Sequence, residues 1–135
     1  MTERDRQRLI DLILKRISED DFLSGFPVNP INNTGYLLSE LECGLRDKDA
    51  KNVEYAMILG FRFKLFDRQT VNVLCKLLAE DWHYKHEDIA QLMQKMKDPR
   101  CIEALYATAL KTFAYLTHDN VFPVLLRIGL ESGAM

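Results

Sequence analysis

The densest group of chemically capable side chains in this chain is the run Trp82-His83-Tyr84-Lys85-His86-Glu87-Asp88. His83 and His86 are spaced to share one face of a helix, where Glu87 or Asp88 could complete a zinc site or act as a general base. The spacing matches neither H-E-x-x-H nor the inverted H-x-x-E-H form, so a third metal ligand would have to come from elsewhere. A plainer reading makes the run a linker and helix start, with Trp82 packed between layers. A third reading gives it to a partner-binding surface. The residue types favour structural support over partner binding, and partner binding over metal chemistry.

The other candidates are weaker. His118 beside Asp119 has the composition of half a catalytic pair, but a capping aspartate after a loop histidine explains it as well. Neither G-x-S-x-G nor C-x-x-C occurs, and no glycine-rich phosphate loop is present. Cys43, Cys75 and Cys101 are far apart and odd in number, which reads as small buried hydrophobes in a reduced compartment. Arg62, Lys64 and Arg68 form a basic cluster near a turn, interleaved with Phe63 and Phe66. Solvated surface is the ordinary fate of such a cluster, and a phosphate or an acidic partner is its functional alternative. No catalytic residue, cofactor or metal site is therefore assigned.

The elements that must position these residues read as helices. At 135 residues, 47% hydrophobic and 28% charged, the chain has the composition of one soluble domain with a real core. Its 18 basic and 20 acidic residues give a formal charge of -2. The signs are interleaved, so composition offers no basic surplus for nucleic acid. The charged start MTERDRQRLI does not read as a secretory signal, and no apolar stretch reaches membrane-spanning length. The cytoplasm is the default expectation.

Thr2 with Asp5 reads as a capping box for a first helix carrying Leu9, Ile10, Ile13, Leu14 and Ile17, up to about Ser18. Residues 20–34, with Gly25, Pro27, Pro30 and the Asn32–Asn33 pair, disfavour regular structure. Thr34 or Ser39 starts a second helix with Leu37, Leu38, Leu41 and Leu45 on one face. Residues 46–51 alternate in sign and form a turn, and Asp49 caps a third helix carrying Val53, Ala56, Met57, Phe61 and Leu65. Asp67 caps a fourth, with Val71, Leu74, Cys75 and Leu78 inward. A fifth runs from about His86 to Lys97. Asp98-Pro99-Arg100 then opens a sixth, because the aspartate can accept free N–H groups and a first-turn proline lacks only a spare donor. A last helix is expected from near Asp119.

A shift of 31 residues superposes Asp67 on Asp98, Val71 on Ile102, Leu74 on Leu105, and Ile58, Phe61 and Leu65 on Ile89, Leu92 and Met96. Helix pairs of this size cannot bury their own apolar faces and must stack on neighbours. The expected fold is all-α, a helical-repeat solenoid of about seven helices in one domain spanning residues 1–135. Its parts are N-terminal helices and a loop (1–48), two repeats (49–80 and 84–112) and a C-terminal helix (113–135).

The stretch Lys97-Asp98-Pro99-Arg100-Cys101-Ile102-Glu103-Ala104-Leu105 resembles the signature of bacterial HEAT-like repeats, in which an Asp-Pro-Arg turn leads into a unit's second helix. The segment from Glu80 to Tyr106 is similar to small bacterial HEAT-repeat proteins, some of them immunity proteins for polymorphic or contact-dependent toxins. The resemblance covers about residues 67–112. Asp67-Arg68-Gln69 lacks the proline of the later turn, and after Thr112 the pattern drifts, with Pro123 and Gly129 interrupting it.

This resemblance implies a protein-binding module without enzymatic activity or cofactor. Its concrete form is an immunity protein that occludes a cognate toxin. Contact residues are expected among Glu80, Asp81, Trp82, His83, Tyr84, Glu87 and Asp88, with Arg62 and Arg68 as the basic candidates. The acids would complement a basic toxin surface. The weak C-terminal cap leaves capping by a partner, a homodimer or a truncated relative as readings of the chain. The rival functions are a general scaffold or regulatory protein, and a HEAT-like nucleic-acid-binding or DNA-repair protein, which needs a basic groove.

Overall fold

A computed structural model of the chain describes residues 1–33, 35–100 and 102–104. Among them the fold is all-α, with no strand. The first helix, α1 (Glu3–Ile13), starts at the capping box: Asp5 N–H donates to Thr2 Oγ1 and Thr2 N–H to the Asp5 carboxylate, each at 3.1 Å. It ends at Ile13 rather than near Ser18. Lys15 turns the chain at φ 60°, and the N–H groups of Leu14 and Arg16 close on the carbonyls of Ile10 and Asp11.

The segment expected to be irregular begins with a helix, α2 (Glu19–Gly25). Ser18 caps it, accepting from Asp21 N–H at 3.1 Å, and Glu19, Asp20 and Asp21 place negative charge at its positive end. Its carbonyls at Asp21 and Phe22 accept from the Arg8 guanidinium of α1. An N-terminal cap, this tie to α1 and a buried Phe22 outweigh the loop-like composition around them.

The third helix, α3 (Gly35–Asp47), is joined by a short turn to α4 (Ala50–Phe63), capped as expected by Asp49, which accepts from Asn52 N–H at 3.1 Å. The two pack closely at Gly44, where a Cβ would stand 2.8 Å from Val53 Cγ2. Gly60 serves a different approach: a Cβ there would meet the Phe66 ring at 2.5 Å. The glycine in mid-helix thus makes room for an aromatic ring from the following turn.

Asp67 caps α5 (Arg68–Leu78) with a reciprocal box to Thr70. Asp67→Ala is expected to lower stability by about 1 kcal/mol, read as a shift in the urea midpoint; an unchanged midpoint would contradict the cap's role. After α6 (His86–Met96), Lys97 turns left-handed and residues 99, 100 and 102–104 are helical again. Asp98 caps this segment, accepting from Arg100 N–H at 2.9 Å. The Arg100 guanidinium reaches Asn72 Oδ1 at 2.9 Å and the Arg68 carbonyl at 3.2 Å, tying the segment to α5. Arg100 also holds the Asp98 carboxyl down to about 2, through its side chain and its backbone N–H.

α3 packs on α4 and α5, α5 on α6, and α1 on α2 and α4. Among the described residues two apolar clusters result. One joins α3, α4, α5 and α6 through Leu41, Val53, Met57, Leu74, Leu77 and Ile89. The other joins α1, α2 and α4 through Leu9, Leu12, Phe22, Phe26 and Leu59. Because α4 serves both, it buries a wider arc than a single stripe. Leu59 is fully enclosed, while Phe61, expected inside, is 43% exposed. Cys43 and Cys75 are half-buried rather than core residues.

No helix among the described residues is long and apolar enough to cross a membrane. Cys101, the expected continuation through Leu105, Tyr106, Ala109 and Leu110, the His118–Asp119 pair and the helix from Asp119 lie outside the described residues.

Candidate functional site

The chain from Glu80 to Lys85 leaves α5 and enters α6 without regular structure, and two histidines hold it. His83 and His86 are both fully buried, their rings stacked with centroids 4.1 Å apart and an interplanar angle of 11°. A carbonyl oxygen only accepts, so His83 Nε2–H donates to Leu77 O, at 2.5 Å, and His86 Nε2–H donates to Glu80 O. His83 Nδ1 accepts from Lys85 N–H at 3.1 Å. Both ring nitrogens of His83 are therefore committed in the neutral form.

Burial pushes the His83 imidazole below its usual range, against the opposing pull of the Leu77 carbonyl and the Glu80 charge. The folded state thus resists a proton that the unfolded chain accepts below about pH 6.5. Stability should be at its plateau above that value and fall as the solution is acidified through it, by up to about 1.4 kcal/mol per pH unit. Urea midpoints between pH 8 and pH 5 measure this slope. A His83→Asn variant should show a shallower one, and an equal slope in both proteins would refute the assignment.

This pairing corrects one expectation. His83 lies inside, bonded to backbone on both sides of the linker, so it braces the segment and offers no contact surface. Among the described residues, no three His, Cys, Asp or Glu side chains gather to hold a metal ion. Trp82 is half-buried against the larger cluster and meets His83 edge-on at 5.3 Å. Its indole N–H is buried without a hydrogen-bond partner among the described residues.

Between the two buried histidines the chain turns Tyr84 outward, 71% exposed. Asp81 is exposed beside it, and Glu80, Glu87 and Asp88 are half-buried. Asp88 pairs with Lys85 at 3.5 Å and Glu87 accepts from Gln91 at 3.4 Å. Tyr84 and Lys85 line a shallow cavity of about 330 Å³ with Ala50, Lys51 and Glu54 from the first turns of α4. Glu54 and Ala50 were not among the expected contact residues. Only the tertiary approach of α4 to the linker brings them there.

The basic candidates lie elsewhere. Arg62, in the last turn of α4, pairs with Glu19 at 3.1 Å and covers the Phe63 ring at 5.2 Å. Arg68 opens α5, its side chain exposed and its carbonyl accepting from Arg100. Lys51 and Phe63 are separated by about 18 Å of helix rise, so the Tyr84 surface and the basic turn occupy opposite ends of α4.

What the arrangement offers is an exposed aromatic side chain on a segment braced by two buried histidines, beside a cavity that Lys51, Glu54 and Lys85 share. No protein-family model, curated protein or solved structure matches the chain.

Proposed function

We propose that this chain is a HEAT-like helical-repeat module that binds another protein, with Tyr84 at the centre of its contact surface. The observation that carries the reading is the exposure of Tyr84 on a segment braced by two buried histidines. An exposed phenol on a loose loop would lose conformational freedom on binding, whereas a braced one loses little. Tyrosine is also among the residues enriched at the energetic centres of protein interfaces.

The charge around it selects the partner's sign. Residues 80–88 carry Glu80, Asp81, Glu87 and Asp88 against Lys85 alone. With Lys51 and Glu54 of α4 included, five acids stand against two lysines, and such an excess steers a basic protein face. An immunity protein that covers the basic substrate-binding surface of a toxin is the specific form of this reading. Its mechanism is occlusion, with no bond made or broken. The repeated Asp cap at Asp67 and Asp98, and the Arg100 tie between them, support the repeat architecture.

The test is co-purification of the tagged full chain from its native host, followed by mass spectrometry and by titration of the recovered partner. Tyr84→Ala should weaken that partner by roughly tenfold or more, and Asp81→Lys should slow association at low salt. Recovery of nucleic acid that survives high salt, or of a protein whose affinity ignores both substitutions, would sink the proposal.

A further inference from the structure

We propose that His83 and His86 form a pH-operated latch: a proton on the stacked pair frees the Tyr84 segment while the helices on either side stay folded. The latch governs the Tyr84 surface, so its use in the cell rests on the contact role proposed above, although its physical working does not.

The closed geometry has no place for the proton. His83 donates to Leu77 O at 2.5 Å and accepts from Lys85 N–H at 3.1 Å. A proton added at Nδ1 would point at that N–H, donor against donor, and the bond across the linker would be lost. The His86 ring lies 4.1 Å away and nearly parallel, with its own donation to Glu80 O. Both rings are fully buried, so a charge on either is taken out of water, and charges on both would face each other across the stack.

The charges on the surrounding elements do not reverse this. In the first turn of α6, Asp88 is paired with Lys85 at 3.5 Å and Glu87 accepts from Gln91. Across the cavity, Glu54 of α4 is accompanied by Lys51, and Asp81 on the linker is exposed to water. Glu80, just after α5, does favour a proton on His83, as the Leu77 carbonyl does, and burial outweighs them.

Release is local because the two sets of contacts are separate. The linker has no regular structure and is tied by ring-to-backbone bonds. The flanking helices are held by Leu74, Leu77, Ile89 and Met93, none of which titrates. Trp82 biases the segment toward opening, since its buried indole N–H lacks a partner among the described residues and gains water when the segment leaves. An opened histidine takes a proton below about pH 6.5. The closed form is therefore favoured fully above that value and lost as pH falls through it, presenting Tyr84 in neutral solution and withdrawing it in acid.

The test is amide exchange of the purified full chain between pH 8 and pH 5, corrected for the intrinsic exchange rate, with the emission of Trp82, the chain's only tryptophan. Protection at Lys85 should be flat above about pH 6.5 and fall below it, roughly tenfold per pH unit for one titrating ring and up to a hundredfold for the pair. At every pH it should stay well below protection at Val71 and Leu74, which report opening of the whole domain. At pH 5 Trp82 emission should move to longer wavelength while the far-ultraviolet circular dichroism holds. His83→Asn and His86→Gln, each checked for folding by circular dichroism, should both make the Lys85 slope shallower. A slope unchanged by His83→Asn would overturn the latch, as would pH-independent protection, or protection at Lys85 equal to that at Val71 and Leu74 throughout. No partner enters this measurement, so failure of the Tyr84 contact shows separately, as absent partner capture with the slope intact.

Discussion

Replacing Phe22 with alanine should destabilise the protein by about 3–5 kcal/mol, the largest loss expected from any single substitution at its N-terminal end. The side chain is fully buried, tilted against Phe26 at 4.7 Å and stacked on Phe63 at 5.7 Å. It is the only fully enclosed side chain α2 contributes to the cluster it shares with Leu9, Leu12 and Leu59. A helix of seven residues has no independent stability in water, so its anchor carries it. The loss should appear as a lower urea midpoint together with rapid amide exchange through α2, while α5 stays protected. A cost below about 1 kcal/mol, or loss of protection spread evenly over α5, would show that α2 is not held this way.

His83→Ala should cost about 3 kcal/mol, because it removes the ring stacked on His86, leaves a buried space, takes the acceptor from Lys85 N–H and leaves the Leu77 carbonyl with Glu80 N–H. Tyr84→Ala, a few atoms away on the same segment, should cost under about 0.5 kcal/mol, since that side chain is 71% exposed. The contrast separates bracing from binding: the first variant should lose stability, and the second should lose only the partner. Equal stability losses would mean that Tyr84 is part of the core arrangement, and near-zero loss in His83→Ala would remove the brace from the account.

The two variants also mark where the sequence is legible. Helix starts at Thr2, Asp49, Asp67 and Asp98 are readable because a cap is a local event, a side-chain oxygen meeting an N–H two or three residues on. The spacing between Asp67 and Asp98 is matched by a physical tie, since Arg100 reaches back to Arg68 and Asn72. Burial of Leu74, Leu78, Ile89 and Met93 follows from their period and is found as expected.

What depends on distant chain was not readable. Gly25, Pro27 and Pro30 give residues 20–34 the look of a loop, and the reason for a helix there is Phe22 meeting Phe63 from another element. Phe61 and Leu59 exchange inside for outside because α4 faces two clusters, which a single stripe does not anticipate. Three consecutive ring-bearing positions, Trp82, His83 and Tyr84, carry no period, so nothing local distinguishes a buried His83 from an exposed Tyr84. Arg62 and Arg68 stood beside the acids as one candidate set, and the length of α4 divides them into two surfaces.

The central claim is that another protein sits on Tyr84. A photo-crosslinking amino acid placed at position 84 of the full chain, expressed in its native host, tests it directly, with the same group at the exposed Arg46 as control. The expected result is one dominant protein adduct at position 84, absent at position 46 and competed away by the unmodified chain. Adducts of the same proteins at both positions, or none at 84, would contradict the assignment of this surface.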